Sequence, residues 1–162
     1  MKFYHTAFNL NEWFILLTGT VVFLLVYLMP KRFTRVQTLT MLLIGFYLGC
    51  TFDETFGIGP FNYYDINNTS FMELWDVLTY VMFSPFAYFF VYGYSNVKKS
   101  RTAYFFYISV WALGAILLEA LAWHAGVYHY LNGYRQYYSL PFYLLALTVT
   151  MIYYRLFIKE SG

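Results

Sequence analysis

The chain has 162 residues, of which 60% are hydrophobic, 25% aromatic and only 11% charged, with a mean hydropathy of +0.50 and a formal net charge of +2. A soluble domain carries about 25% charged residues, so this composition cannot cover a water-facing surface and excludes an ordinary soluble fold. The small net charge argues against a nucleic-acid partner, and Cys50, the single cysteine, excludes an intramolecular disulfide and any cysteine-based zinc site or iron–sulfur cluster built within one chain.

Each bilayer crossing takes roughly 20 apolar residues. Apolar runs of about that length predict transmembrane helices over 13–29, 36–52, 74–94, 103–123 and 138–158. The expected fold class is all-α, a polytopic membrane helix bundle forming a single integral membrane domain over 1–162. The first run is long for a signal-peptide core and is followed by Pro30-Lys31-Arg32 instead of a small-residue cleavage site, so it reads as a retained helix. In the second run Gly45 and Gly49 form a small-xxx-small pair that lets a neighbouring helix approach closely. Packing within the bundle is the expected use, and dimerisation with a partner chain the alternative. Pro85 lies midway along the third run, where it removes a backbone hydrogen bond and predicts a kink. Ser139 and Pro141 have the spacing of a cap and a first-turn proline, so the fifth helix should begin there.

The connections set the predicted orientation. Lys31, Arg32 and Arg35 lie in the first, Lys98, Lys99 and Arg101 in the third, and Arg155 and Lys159 close the last helix, so eight of the ten basic residues share one face. The positive-inside rule makes that face cytoplasmic, placing the N-terminus outside and the C-terminus inside in a multi-pass protein of the plasma membrane. Glu12, Asp53, Glu54, Asp65, Glu73, Asp76 and Glu119 then fall toward the outer side, with Glu160 alone opposite. Acidic residues have little influence on insertion, so their segregation points to a role for the outer face, although simple solubilising charge accounts for Glu12 and Asp65.

The outer connection over 53–70 contains Gly57-Ile58-Gly59-Pro60 and then Phe61-Asn62-Tyr63-Tyr64-Asp65, which reads as a turn followed by an aromatic segment lying on the membrane surface. In the other outer connection, 125–137, Asn132-Gly133 signals a turn and predicts a small local hairpin. Two overlapping sequons in Asn67-Asn68-Thr69-Ser70 are of a kind frequent by chance.

Glu119 stands out because it interrupts an otherwise apolar run from Trp111 to Trp123. At 1.5 Å rise per residue it sits about 9 Å above the midplane of a span centred on Leu113, still inside the hydrocarbon layer. A lipid-exposed charge there costs on the order of 2–3 kcal/mol or more, so Glu119 must face the bundle, be protonated or be paired. The same reckoning puts Asp76 about 12 Å above the midplane, with Asp53 at similar height, so three helices contribute carboxylates to one outer layer. Glu73 and Asp76 are also i, i+3 neighbours whose like charges repel, with protons, a bound cation, or His124 and Arg135 as candidates to relieve them. Two readings stand side by side. One is a hydrogen-bonded cluster of acids, tyrosines and Arg135 that orders the helix ends; the other is a binding site in which shielded carboxylates exchange protons or hold a cation.

His124 and His129 do not combine with Glu119 in any metalloprotease spacing, and no nucleophile elbow, P-loop or dinucleotide fingerprint is present. The sequence therefore implies no metal, no cofactor and no enzymatic activity; a lipid-directed enzyme would need His124 or His129 beside Glu119. Nineteen tyrosines and eighteen phenylalanines suit interfacial aromatic belts. The sharper alternative is that outer aromatics and carboxylates together bind an organic cation.

Asp53 closing the second span, Asp76 opening the third, Glu119 in the fourth, and then Gly126, Tyr128, Asn132-Gly133 and Ser139 form a pattern over most of the chain. It resembles a family of small, roughly five-span membrane proteins of uncharacterised function from spore-forming Firmicutes such as Bacillus and Clostridium. Where those proteins often show tryptophans after the glycine, this chain has Tyr134 and Tyr137-Tyr138. The resemblance implies the five-span topology and a bacterial plasma membrane, and carries no activity. The expected function is binding of a proton, a cation or a partner by an outer acidic and aromatic cluster of Glu119, Asp76, Asp53 and Glu73, in transport or sensing. The alternative is an accessory subunit whose Gly45, Gly49 and outer aromatics hold another membrane protein or a second copy within the lipid bilayer.

Overall fold

The computed structural model describes residues 8–58, 60–67, 73–97 and 100–158. Five helices run through it: α1 (Leu10–Leu28), α2 (Arg35–Phe52), α3 (Leu74–Tyr94), α4 (Arg101–His124) and α5 (Leu140–Tyr153). π-helical turns extend α2 over Asp53–Gly57 and α5 over Tyr154–Ile158, and a 3-10 turn at Gln136–Ser139 leads into α5. With these extensions all five are long and apolar enough to cross a bilayer. Their outward faces carry Leu17, Leu25, Leu43, Phe105, Leu117 and Ile152 fully in the open, an apolar surface that water would not tolerate at this extent.

α3 is the most buried helix and the one against which α1, α2 and α5 all pack. Gly45 is why α2 can come so close: a Cβ at that position would stand 2.4 Å from the Ser84 carbonyl oxygen. Gly49 faces the Tyr80 ring at an ordinary 3.8 Å. Both glycines thus face α3 inside the chain, and at Gly45 the Cβ direction is taken up by the Ser84 backbone. Pro85 deprives the Val81 carbonyl of its usual N–H donor, and the Ser84 hydroxyl takes its place at 2.8 Å. With that bond restored, α3 runs through Pro85 as one helix.

One end of the bundle gathers the basic side chains. Lys31 Nζ donates to the Val26 and Tyr27 carbonyls at 2.8 and 2.6 Å, closing the C-terminus of α1. Arg32 donates to Asn96 Oδ1 at 2.6 Å and lies 4.4 Å over the Tyr92 ring. Arg155 donates to the Tyr94 hydroxyl at 2.6 Å and lies 4.5 Å over Tyr104. Lys98, Lys99 and Lys159 lie outside the described residues.

At the opposite end the two longer connections join each other. Tyr64–Ile66 (β1) pairs antiparallel with Tyr128–Tyr130 (β2) in the register Tyr64 to Tyr130, Asp65 to His129 and Ile66 to Tyr128. Flanking bonds from Asn67 N–H to the Val127 carbonyl at 2.7 Å and from Leu131 N–H to the Tyr63 carbonyl at 2.8 Å lengthen the junction. This corrects the expected local hairpin. Asn132 and Gly133 do form a left-handed turn, with φ of 49° and 75°, but the chain then passes straight into the 3-10 turn before α5, leaving no return strand for β2 to pair with. The aromatic segment leads into β1, beyond which Ile66 and Asn67 are buried against the bundle. Asn67 Nδ2 donates inward to Asp76 Oδ1 at 2.8 Å, which makes the first sequon position an internal strut; Asn68, Thr69 and Ser70 lie outside the described residues.

Glu12, expected to be a solubilising charge, is fully buried. Its Oε2 accepts the Asn9 N–H at 2.7 Å in a capping box that starts α1.

Candidate functional site

Glu119 lies near the terminus of α4 at the β1–β2 end of the bundle and is only 4% exposed. The loop that follows α4 turns back over it through Gly126, whose φ of +81° needs a residue without a side chain. That return brings Tyr130, at the end of β2, and Ser139, at the end of the 3-10 turn, onto the same carboxylate oxygen. The Tyr130 hydroxyl donates to Glu119 Oε1 at 2.6 Å and Ser139 Oγ does so at 2.7 Å. Ser139 is held in turn by the Tyr134 hydroxyl at 2.9 Å, and Gln136 ties the loop to α4 by donating to the Ile116 carbonyl at 2.6 Å. Oε2 is buried with no hydrogen bond of ordinary geometry; the Tyr143 hydroxyl stands beside the carboxylate. Ser139 was expected to cap α5. Its side chain makes no capping bond and serves Glu119 instead.

Burial pushes the hydroxyls of Tyr64, Tyr128 and Tyr130 well above the ordinary tyrosine value, with the neighbouring Glu119 adding to the effect on each. Burial likewise brings Tyr134 up to about 12, against a partial offset from its Ser139 bond. These hydroxyls therefore remain protonated donors at neutral pH.

Glu119 forms part of the wall of a cavity of about 540 Å³ enclosed by α2, α3, α4 and α5 and roofed by the β1–β2 junction. Asp53 lines it as well, from the point where α2 passes into its π turn; the Tyr80 hydroxyl donates to Asp53 Oδ2. The π turn winds tightly around this carboxylate, so that a Cβ on Gly57 would lie 2.7 Å from Asp53 Oδ1. Phe52, Phe56, Phe83, Phe86, Trp111 and Phe142 make up much of the remaining wall. Among the described residues lining it there are two acids, Asp53 and Glu119, and no lysine, arginine or histidine.

The other expected site residues lie elsewhere. Asp76 is buried at the start of α3, outside the cavity, accepting the Glu73 N–H at 2.6 Å and Asn67 Nδ2 at 2.8 Å. Glu73 is the N-cap of that helix in a reciprocal capping box with Asp76. The anticipated repulsion between them is met by backbone N–H groups at the helix N-terminus, where negative charge is favoured, and calls for neither a bound cation nor His124 and Arg135. His124 is exposed with its ring 4.8 Å from Trp123; His129 and Arg135 are exposed on the roof. None of the three lines the cavity, so Glu119 takes hydroxyl partners in place of the anticipated cations, and a lipid-directed enzyme finds no histidine beside it. Among the described residues no group of three or more histidines, cysteines or acids is placed to hold a metal ion.

Tyr130, Ser139, Tyr134, Tyr143 and Tyr80 are the site residues that the sequence did not single out for this role. Nothing distinguishes these tyrosines from the rest of an aromatic belt until the loops are folded.

The molecule is thus a bundle of five helices of membrane-spanning length with a buried acid set in an aromatic-walled cavity. Comparison of the chain with described protein families, curated proteins and solved structures finds no match.

Proposed function

We propose that the protein is a multi-pass plasma-membrane protein that binds a cation in this cavity, in transport or sensing, with Glu119 and Asp53 as its charged ligands. The supporting observation is Glu119 itself: a buried carboxylate whose partners among the described residues are neutral hydroxyls, in a space whose described lining offers a second carboxylate and no basic side chain. Leaving an ionised carboxylate uncompensated away from water costs several kcal/mol. A proton or a cation relieves that cost, and the two compete for the same site.

Titration of the purified protein with sodium, potassium or tetramethylammonium should therefore release protons. We expect the release to be lost in Glu119→Gln, which keeps the shape and an acceptor oxygen, and weakened in Asp53→Asn. Superimposable curves for wild type and Glu119→Gln would remove the cation reading.

In this proposal the basic end faces the cytoplasm, following the positive-inside rule, and the polar end of the cavity lies in the outer leaflet. The resemblance to the five-span Firmicutes proteins supports a bacterial plasma membrane. His129, exposed on the roof, provides the check: His129→Cys in a Cys50→Ser background should react with a membrane-impermeant maleimide in intact cells. Labelling only after the cells are opened would invert the orientation. An accessory-subunit role has less support, since Gly45 is covered by α3 of the same chain.

A further inference from the structure

The cavity is not sealed along α4. Gly114, Leu117 and Leu121, at i, i+3 and i+7, all line it, yet Leu117 and Leu121 are 69% and 59% exposed on the outside of the bundle. A Cβ on Gly114 would meet nothing within 4 Å. This stripe runs from the middle of α4 toward its β1–β2 end, which is the depth of acyl chains and not of bulk water. The interior is thus reached through the flank of the bundle, over an apolar threshold, and the charged groups among its described lining residues are acids.

We infer that the cavity takes a single-chain ammonium amphiphile that enters sideways from the bilayer past Gly114. Its cationic head lies against Glu119 and Asp53, and its chain lies among Phe83, Phe86 and Trp111. This inference rests on the cation reading above and adds the ligand's class and its route. Three features carry it. Two carboxylates and no basic side chain select positive charge. Tyr64 and Tyr128, which line the same space, add ring faces that attract an ammonium group. A cavity of about 540 Å³ is far larger than one small cation needs and has room for an alkyl chain beside the head group. A small hydrated cation would fill only the polar end and leave the aromatic part empty.

The test uses the full chain in phosphatidylcholine nanodiscs with chain-brominated alkylammonium ions as quenchers of Trp111 fluorescence, the Trp111 signal being the part that Trp111→Phe removes. We expect saturable quenching that is at least about tenfold tighter for the ammonium than for the alcohol of equal chain length, and tighter than tetramethylammonium by a similar factor. Glu119→Gln should abolish the preference for the ammonium over the alcohol. Gly114→Phe, which fills the threshold, should abolish quenching by the long amines. Equal quenching by amine and alcohol, or unchanged quenching in Gly114→Phe, overturns the inference. If tetramethylammonium still releases protons in a Glu119-dependent manner while long amines bind no more tightly, the cation site stands and the amphiphile falls. If neither binds, both fall.

Discussion

Gly45→Val should separate α2 from α3 and lower the stability of the bundle by about 1–3 kcal/mol or more, the range of overpacking in a tight interior. At this position a Cβ would lie 2.4 Å from the carbonyl oxygen of Ser84 and 2.9 Å from its Cα. Both obstructing atoms belong to the backbone, so no rotamer change relieves the contact and one helix must retreat. The Ser84 side chain cannot adapt either, because its hydroxyl holds the Val81 carbonyl that Pro85 leaves without a donor. Gly49→Ala is the matched control one turn away: its Cβ would meet only the Tyr80 ring at 3.8 Å, an ordinary contact, and should be tolerated. Thermal unfolding in detergent measures both, and equal melting temperatures for the two variants would show that the close approach at Ser84 does not hold the helices together.

Because Gly45 also lines the cavity, packing and site are linked at this point. A retreat of α2 moves the wall that carries Asp53, and cation binding in Gly45→Val should weaken along with stability. Gly114 behaves differently because open space surrounds it; Gly114→Ala should leave the melting temperature unchanged. Small residues in membrane helices thus have two distinct uses here, backbone contact and open space, and spacing alone cannot tell them apart.

The five helices of spanning length were legible because the length of an apolar run is a local property. Glu119 was legible as an anomaly for the same reason: a carboxylate in an apolar run must be accommodated. Its partners were not, since Tyr130 and Ser139 reach it only after Gly126 reverses the chain and the roof closes, and nineteen tyrosines compete for the role in any reading by composition. The β1–β2 junction escaped notice because strands of three residues carry too little alternation to signal, and their partners come from different connections. Glu73 and Asp76 are another matter. An acid three residues after a cap, just ahead of an apolar run, has the spacing of a capping box, and that signal was present. The same spacing also reads as like-charge repulsion, but backbone N–H groups at a helix start are ready partners for both acids.

Glu119→Ala should cost about 2–4 kcal/mol, because it strands the buried Ser139 and half-buried Tyr130 hydroxyls in addition to deleting their bonds. Ser139→Ala alone removes one of two donors to Oε1 and breaks the link to Tyr134, for an expected loss of about 1–2 kcal/mol. The pair should not be additive. Once the carboxylate is gone, Ser139 has no acceptor to lose there, so the double variant should fall short of the summed losses by about 0.5–3 kcal/mol. Glu119→Gln preserves one acceptor oxygen and should sit close to wild type in stability while losing cation binding, which separates the structural use of the carboxylate from its proposed use as a cation ligand. Unfolding of the four proteins in mixed micelles provides the cycle. Strict additivity would mean that Ser139 and Glu119 do not act through their mutual bond. Tyr130 would then be the donor that positions Oε1, and a cation would meet an oxygen held without help from Ser139.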